Sequence, residues 1–236
     1  MEYKFSMDFW NKDHIRNFNR IRNYFFYEDE HLYIPGFLSF LEIGVFEGRT
    51  STWLLDNILL NDEDGSSDCL TLIDPDVGPN FNYNMQKWII DGKLTKEGIK
   101  RINFIGDYSY NALPKLKTEN KLFDLIYIDG DHNACGVLED AVMAWKLLKE
   151  NGILLFDDYL MEVKDSWFYI SHKEFNQHHS LVWQHPRNAI DCFLNIYKGQ
   201  YEIIIDNYQI GIRKVCDLGA KNLNHGDNTQ KAIYEV

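Results

Sequence analysis

Residues 123–159, FDLIYIDGDHNACGVLEDAVMAWKLLKENGILLFDDY, decide the fold class of this chain. The apolar runs 122–128 and 153–156 are typical of buried strands. Between them lies a stretch with the apolar spacing of a helix, which Asn151-Gly152 ends; its repeating residues are Leu138, Val142, Trp145 and Leu148. Since parallel strands are joined by a crossover helix, this segment predicts a strand–helix–strand unit of a parallel sheet.

The same alternation fills the chain before this segment. Apolar runs at 40–43, 70–73 and 102–105 each precede a helical stretch. After the fifth strand, a helix at 187–199 leads to YEIIIDNYQIGIRK, residues 201–214, which indicates two strands around the turn signal Asp206-Asn207. We therefore predict an α/β fold with a mostly parallel, seven-stranded sheet, a C-terminal antiparallel hairpin and helices on both faces.

Three segments are expected along the chain. Residues 1–36 are aromatic and charged and predict an accessory helix that packs on the core or covers a site; its periodic residues are Ile15, Phe18, Ile21 and Phe25, and Pro35 stops the pattern. Residues 37–216 form the main domain, because no repeat or linker divides them. Residues 217–236 are polar and are expected to be a loose tail.

Composition narrows the function classes. The net charge of −12 argues against nucleic acid as a partner, because such binding depends on Lys and Arg that neutralise phosphates. No apolar stretch reaches the ~20 residues of a membrane span, so we expect a soluble, cytoplasmic protein. The four cysteines lie far apart without a metal-binding spacing and are expected to be reduced thiols. The sequence leaves a homo-oligomer open.

The turn after the first strand, within FLEIGVFEGRTSTWLL, is the first candidate binding element. Glu42 lies near the strand end, and Gly44 and Gly48 flank the turn, which would let a ligand approach the backbone. The hydroxyls of the following helix are expected to satisfy its free N–H groups; they belong to Thr50, Ser51 and Thr52. The segment lacks both the GxGxxG and the P-loop pattern, and a tight turn alone explains the glycines equally well.

Acidic residues follow the other parallel strands as well. Asp74 could accept the hydroxyls of a ribose. Asp107 could accept from an adenine amino group or cap the following helix. The fourth and fifth parallel strands are each followed by acidic residues, and a histidine lies beside the first set. These residues are Asp129, Asp131 and His132 after the fourth strand, and Asp157 and Asp158 after the fifth. Carboxylates favour a ligand with positive charge, ribose hydroxyls or a metal over a phosphate. S-adenosylmethionine fits this better than NAD or ATP.

These segments in this order resemble the class I S-adenosylmethionine-dependent methyltransferases, with their Rossmann-like methyltransferase fold, over about residues 37–215. IDGDH and FDDY narrow the resemblance to the metal-dependent sugar O-methyltransferases of macrolide biosynthesis. The resemblance implies that His132 is the general base and that Mg²⁺ or another divalent cation binds Asp129, Asp157 and Asp158. It implies a cofactor site formed by Glu42, Gly44, Gly48, Thr50, Asp74, Asp107 and Asp129.

The chemistry explains why such residues are needed. The methyl group of a sulfonium is already activated, so the protein must align and activate the acceptor. A bound cation lowers the pKa of the acceptor hydroxyl, and a histidine takes its proton. We therefore expect O-methylation of a sugar, a glycan or a similar small molecule. The alternatives are a metal-independent class I methyltransferase and a non-catalytic cofactor-binding module of the same fold.

Other features qualify this interpretation. Phe46 stands where related proteins often carry a small residue, and residues 1–35 do not align with the family. The identity of the methyl acceptor therefore cannot be carried over from the family to this chain. Asp131 is interpreted as a helix N-cap rather than a ligand. Three histidines are interpreted as a solvated helix face or a lid, and three aromatic residues as a wall for a sugar ring or as core; they are His172, His178 and His179, and Trp167, Phe168 and Trp183.

Overall fold

One mixed sheet of seven strands forms the centre of the protein. The computed structural model describes residues 2–7, 10–26, 38–59, 69–90, 102–161 and 185–218. The strands are β1 (Ser39–Ile43), β2 (Cys69–Ile73), β3 (Ile102–Ile105), β4 (Phe123–Ile128), β5 (Leu148–Phe156), β6 (Tyr201–Asp206) and β7 (Ile210–Lys214). Their spatial order is β3-β2-β1-β4-β5-β7-β6. The first five are parallel, and β7 pairs antiparallel with β5 and β6. The predicted fold class is confirmed.

Helices cover both faces of this sheet. They are α1 (Lys12–Phe26), α2 (Arg49–Leu54, continued by a π-helical turn Leu55–Leu59), α3 (Phe81–Ile90), α4 (Ser109–Thr118), α5 (Ala134–Leu147) and α6 (Pro186–Ile196). On β4, Ile126 and Ile128 join the core beneath α4, α5 and α6, whereas Leu125 and Tyr127 join the core beneath α1, α2 and α3. Successive strand residues point to opposite faces, so the apolar run of β4 fills two cores.

The end of α5 differs from the prediction. The helix ends at Leu147, and Leu148 is already the first residue of β5, where it pairs with Phe123. Val142, expected on the buried face, is 38% exposed. The pairing of β4 with β5 resumes between Leu125 and Ile153, after a register shift. The apolar period continues to Leu148 because this residue is buried in the strand as it would have been in a helix.

α1 packs on the core through a face that differs from the predicted one. Phe18 and Ile21 are fully buried, but Ile15 is 47% exposed. The buried face also contains His14 and Asn17. Oδ1 of Asn11 accepts from the N–H of Asp13 at 2.8 Å, which satisfies one of the free donors at the start of the helix. α1 therefore brings two polar side chains into the protein interior.

Several predictions fall outside the described residues, namely those on residues 162–184, on Pro35 and on the tail beyond residue 218. The segment boundaries at residues 36 and 216 remain predictions. Among the residues that the structure describes, no helix has the length and apolar character needed to cross a membrane.

Candidate functional site

The backbone brings the predicted residues to one edge of the sheet. Beyond the strand ends, the N–H of Gly44 donates to Ile73 at 2.9 Å, and the N–H of Asp129 donates to Ile43 at 2.8 Å. In the same way, the N–H of Asp157 donates to the carbonyl oxygen of Ile128 at 3.0 Å. β1 and β4 are neighbours at the point where the strand order changes direction: β2 and β3 follow on the side of β1, and β5 follows on the side of β4. Ligands of open α/β sheets bind at the carboxyl ends of the strands at such a reversal.

The two glycines of the β1–α2 turn are required by the turn itself. Gly44 and Gly48 have φ angles of 85° and 76°, which other residues rarely adopt. A Cβ atom on Gly44 would lie 2.0 Å from the carbonyl oxygen of Asp129, and one on Gly48 would lie 2.9 Å from Cε of Met85. The tight turn accounts for both glycines, and their assignment to the cofactor site stays a prediction.

Asp74 anchors the same turn. Its Oδ2 accepts from the N–H groups of Val45 and Phe46, each at 2.8 Å, and its Oδ1 accepts from the N–H of Asp76 at 2.9 Å. These bonds fix the backbone between the two glycines relative to the end of β2. The role of Asp74 as a ribose acceptor stays a prediction.

Glu42 is a buried acid behind this turn. It is 1% exposed and accepts from the hydroxyl of Ser51 at 2.6 Å. Burial raises the pKa of Glu42 to about 8; the bond from Ser51 opposes this rise and the charge of Asp74 adds to it. A cationic group bound nearby would stabilise the ionised carboxylate. The site thus suits a positively charged ligand better than a phosphate.

The start of α2 departs from the expected capping. Its N-cap is Gly48, without a side-chain capping bond. The hydroxyl of Ser51 goes to Glu42, and that of Thr52 donates to the carbonyl oxygen of Arg49. Thr50 is buried, and its assignment to the cofactor site stays a prediction.

Asp107 is occupied at the start of α4. It accepts from the N–H of Tyr108 at 2.8 Å, from Nδ2 of Asn111 at 2.9 Å and from Nζ of Lys115 at 3.2 Å. The bond from Asn111, followed by that from Lys115, holds the pKa of Asp107 below its ordinary value. The N-cap of α4 is Tyr108, without a side-chain capping bond, so the predicted capping role of Asp107 is wrong, and its adenine contact stays a prediction.

An acidic centre lies beyond β4 and β5. Asp129, His132 and Asp158 each place one ligand atom within 4.8 Å of the others. Nδ1 of His132 bonds to Oδ2 of Asp158, and the hydroxyl of Tyr208 donates to Oδ1 of Asp158 at 2.8 Å. Asp158 has a φ of 58°, a left-handed conformation that is costly for a residue other than glycine and common at functional sites. These three side chains form the candidate metal centre.

Asp157 lies behind this centre with both carboxylate oxygens engaged. Oδ2 accepts from the hydroxyl of Tyr127 at 2.6 Å and lies 3.2 Å from Nε2 of His14. Oδ1 accepts from Nε2 of Gln209 at 3.1 Å. Asp157 is not part of the group of three, and its role as a metal ligand stays a prediction.

The charges at the centre are unequal. Burial, together with the charges of Asp157 and Asp158, raises the pKa of Asp129 well above its ordinary value. Burial also acts on Asp157, but the hydrogen bonds from His14 and Tyr127 outweigh it and lower the pKa of Asp157. A divalent cation would relieve the repulsion around Asp129. The carboxylates of Asp129 and Asp158 supply the oxygen ligands that such a cation prefers, and His132 lies beside them.

Sequence reasoning missed several residues around the centre. Tyr127 could have been found, because it lies near the end of β4 and two residues before Asp129, and residues two apart along an extended chain share a face. His14, Tyr208 and Gln209 carry no such signal. Asp131 lies in the turn before α5, where its Oδ1 accepts from the N–H and the side-chain amide of Asn133. The N-cap of α5 is Asn133, without a side-chain capping bond, so the predicted capping role of Asp131 is wrong.

Comparison with known proteins identifies the family. Residues 41–159, half of the chain, match the family described as a methyltransferase domain. The chain belongs to this methyltransferase family. The fold implies S-adenosylmethionine as the methyl donor, which agrees with the buried carboxyl of Glu42. An uncharacterized protein of Acanthamoeba polyphaga mimivirus is 28% identical over 124 residues, and the match spans 52% of this chain and 52% of that relative.

Two solved structures share the methyltransferase fold. CalS11, a TDP-rhamnose 3'-O-methyltransferase of calicheamicin biosynthesis, has a TM-score of 0.56 and 13% identity, with 86% of this chain and 80% of CalS11 covered. MycE of the mycinamycin pathway, solved with Mg and SAH, has a TM-score of 0.52 and 13% identity, with 94% of this chain and 53% of MycE covered. The chain spans about half the length of MycE.

Proposed function

We propose that the protein is an S-adenosylmethionine-dependent O-methyltransferase that uses a divalent cation, Mg²⁺ by its preference for oxygen ligands, to methylate a hydroxyl of a sugar, a glycan or a similar small molecule. One observation carries the proposal: Asp129, His132 and Asp158 meet within 4.8 Å at the strand ends beside the β1–α2 turn. The similarity of the fold to CalS11, a TDP-rhamnose 3'-O-methyltransferase, supports a sugar-linked acceptor, and the similarity to MycE, solved with Mg, supports the cation.

The carboxylates of Asp129 and Asp158 would hold the cation, with Asp157 as the further predicted ligand. When bound, the cation would lower the pKa of a coordinated acceptor hydroxyl. The turn from Gly44 to Gly48, with Glu42 and Asp74 behind it, would bind and orient the methyl donor. Alignment matters most in this reaction, because the methyl group leaves a sulfonium that is already activated.

His132 would take the proton of the acceptor hydroxyl. Its side chain is 54% exposed, so a substrate can approach it. Partial desolvation by the surrounding protein atoms lowers the pKa of His132, but the hydrogen bond and charge of Asp158 and the charge of Asp157 outweigh it, and the pKa is raised. With Asp158 engaged by a cation, less of its charge would act on the ring. The pKa of His132 would then fall towards its ordinary ~6.5, which suits a general base near neutral pH.

A methyl-transfer assay tests the proposal. Labelled S-adenosylmethionine is incubated with free, glycosidic and nucleotide-linked sugars, with Mg²⁺ and with EDTA. We expect a labelled product with Mg²⁺, loss of the product with EDTA and recovery with excess Mg²⁺. His132→Ala should lower turnover by roughly 10²–10⁴-fold while calorimetry shows unchanged affinity for S-adenosylhomocysteine. Asp131→Asn, which keeps an oxygen for Asn133, is the matched control and should retain activity.

The alternatives give other results in the same assay. Turnover that survives EDTA would establish a metal-independent methyltransferase in which Asp129 and Asp158 contact the acceptor. Binding of S-adenosylhomocysteine without turnover on any hydroxyl acceptor would favour a non-catalytic cofactor-binding module. Full activity of His132→Ala would remove the general-base assignment.

A further inference from the structure

A buried histidine of α1 contacts the acidic centre from outside the matched part of the chain. His14 is 3% exposed, and its Nε2 lies 3.2 Å from Oδ2 of Asp157. α1 ends at Phe26, whereas the family match begins at residue 41. The family pattern therefore does not account for this contact.

The surroundings of His14 fix both its proton and its orientation. The backbone N–H of Asn11 donates to Nδ1 of His14 at 3.3 Å. A ring nitrogen that accepts a hydrogen bond carries no proton, so the neutral ring carries its hydrogen on Nε2 and donates it to Asp157. The ring is packed against Trp10 and Tyr208, with centroid distances of 6.1 and 5.4 Å. His14 therefore presents a fixed donor to Asp157.

A second polar contact of α1 holds the turn between β6 and β7. Nδ2 of Asn17 donates to Oδ1 of Asn207 at 2.8 Å and to Oε1 of Gln209 at 2.9 Å. Nδ2 of Asn207 donates back to Oδ1 of Asn17 at 2.9 Å. These amides are paired with one another, so the turn has a defined position relative to α1.

The same turn contacts the two acids that end β5. Tyr208 donates to Asp158, and Gln209 donates to Asp157, at 2.8 and 3.1 Å. α1 therefore acts on both carboxylates, directly through His14 and indirectly through the turn. Partners of this kind orient metal ligands, and their removal typically weakens metal binding by about 10–100-fold.

We infer that His14 is a positioning residue of the candidate metal centre: it fixes the Asp157 carboxylate beneath Asp129 and Asp158 in the arrangement that binds the cation. The inference rests on the proposed function, since it concerns the same site. It also gives α1 a role in the reaction in addition to its role in the core.

A purely structural role of His14 is the competing explanation, and the two differ in their effect on metal affinity. His14→Phe keeps a ring and removes the donor. His14→Gln keeps an amide donor. Ile21→Ala is the matched control, because it loosens α1 by truncating a fully buried side chain without touching the acids.

The experiment measures Mn²⁺ binding to the full chain by electron paramagnetic resonance and S-adenosylhomocysteine binding by calorimetry. We expect His14→Phe to weaken Mn²⁺ binding by about tenfold or more. Its affinity for S-adenosylhomocysteine should stay within about twofold of wild type, and His14→Gln should recover most of the Mn²⁺ affinity. Ile21→Ala should lower the unfolding temperature and leave Mn²⁺ affinity unchanged. His14→Leu, a second donor-free variant, replaces His14→Phe if that protein does not fold.

The remaining outcomes separate the two proposals. Wild-type Mn²⁺ affinity in the donor-free variant, or equal losses in that variant and Ile21→Ala, would overturn the positioning role and leave the proposed function intact. Absence of Mn²⁺ binding to the wild-type protein would overturn the metal-assisted function, and the positioning role with it.

Discussion

The hydroxyl of Tyr127 donates to the buried carboxylate of Asp157 at 2.6 Å. The same oxygen lies 3.2 Å from Oδ2 of Asp129. A phenol has one hydrogen, so its contact with Asp129 is a hydrogen bond only when Asp129 carries a proton and donates it. The raised pKa of Asp129 and the lowered pKa of Asp157 agree with a series of two hydrogen bonds, in which Asp129 donates to Tyr127 and Tyr127 donates to Asp157.

Removal of the Tyr127 hydroxyl is predicted to destabilise the protein. Tyr127→Phe leaves the ionised Asp157 with one hydrogen bond fewer, and a bond to a charged group contributes about 1.5–3 kcal/mol. Tyr201→Phe is the control, since that hydroxyl donates to the neutral carbonyl of Leu194 and its loss should cost about 0.5–1.5 kcal/mol. Urea unfolding at neutral pH measures both losses. A smaller loss for Tyr127→Phe than for Tyr201→Phe would contradict the charged acceptor.

Metal binding is predicted to release the proton from Asp129. A carboxylate must be ionised to bind a cation, and the pKa of Asp129 is raised well above its ordinary value in the metal-free protein. The affinity for Mn²⁺ should therefore increase with pH, by at most about tenfold per pH unit for one proton. Calorimetry in buffers with different ionisation enthalpies counts the released protons. Equal apparent enthalpies in all buffers would show that Asp129 is already ionised.

Gly44 and Gly199, which share the same left-handed φ, are predicted to tolerate alanine differently. Both have a φ of 85°, so alanine brings similar backbone strain of about 1–2 kcal/mol at each. A Cβ on Gly199 meets no atom within 4 Å, whereas one on Gly44 would lie 2.0 Å from the carbonyl oxygen of Asp129. Gly44→Ala should therefore lose more stability and should bind S-adenosylhomocysteine more weakly. Equal losses in urea unfolding would mean that the turn can move away from β4.

Strand positions could be predicted closely from the sequence. The runs at 102–105 and 40–43 coincide with β3 and with all but the first residue of β1, because a buried parallel strand needs a short apolar run. The end of α5 could not be predicted from the sequence, because an apolar Leu148 fits both the helical period and a buried strand. Only its pairing with Phe123 decides between them.

The site was predictable in part for a similar reason. Asp74, Asp129 and Asp157 follow strands, and the carboxyl ends of parallel strands meet at one edge, so their convergence follows from the topology. His14 approaches Asp157 across a separation of 143 residues. No local sequence pattern predicts such a contact, because it depends on how α1 packs against the folded sheet.

The protonation of Glu42 is predicted to make stability fall as the pH rises. Its pKa is raised from 4.5 to about 8 by burial, so between these values the folded state holds a proton that the unfolded state has released. The free energy of unfolding then decreases with pH, by at most about 1.4 kcal/mol per unit for this group. Glu42→Gln keeps an oxygen for the hydroxyl of Ser51 and cannot ionise, so its free energy of unfolding should decrease less steeply between pH 5 and 8. Urea unfolding of both proteins across this range measures the difference, which isolates Glu42 from the other buried acids. Parallel curves would show that Glu42 is already ionised in the folded protein across this range, so that its negative charge is present at the turn before any ligand binds.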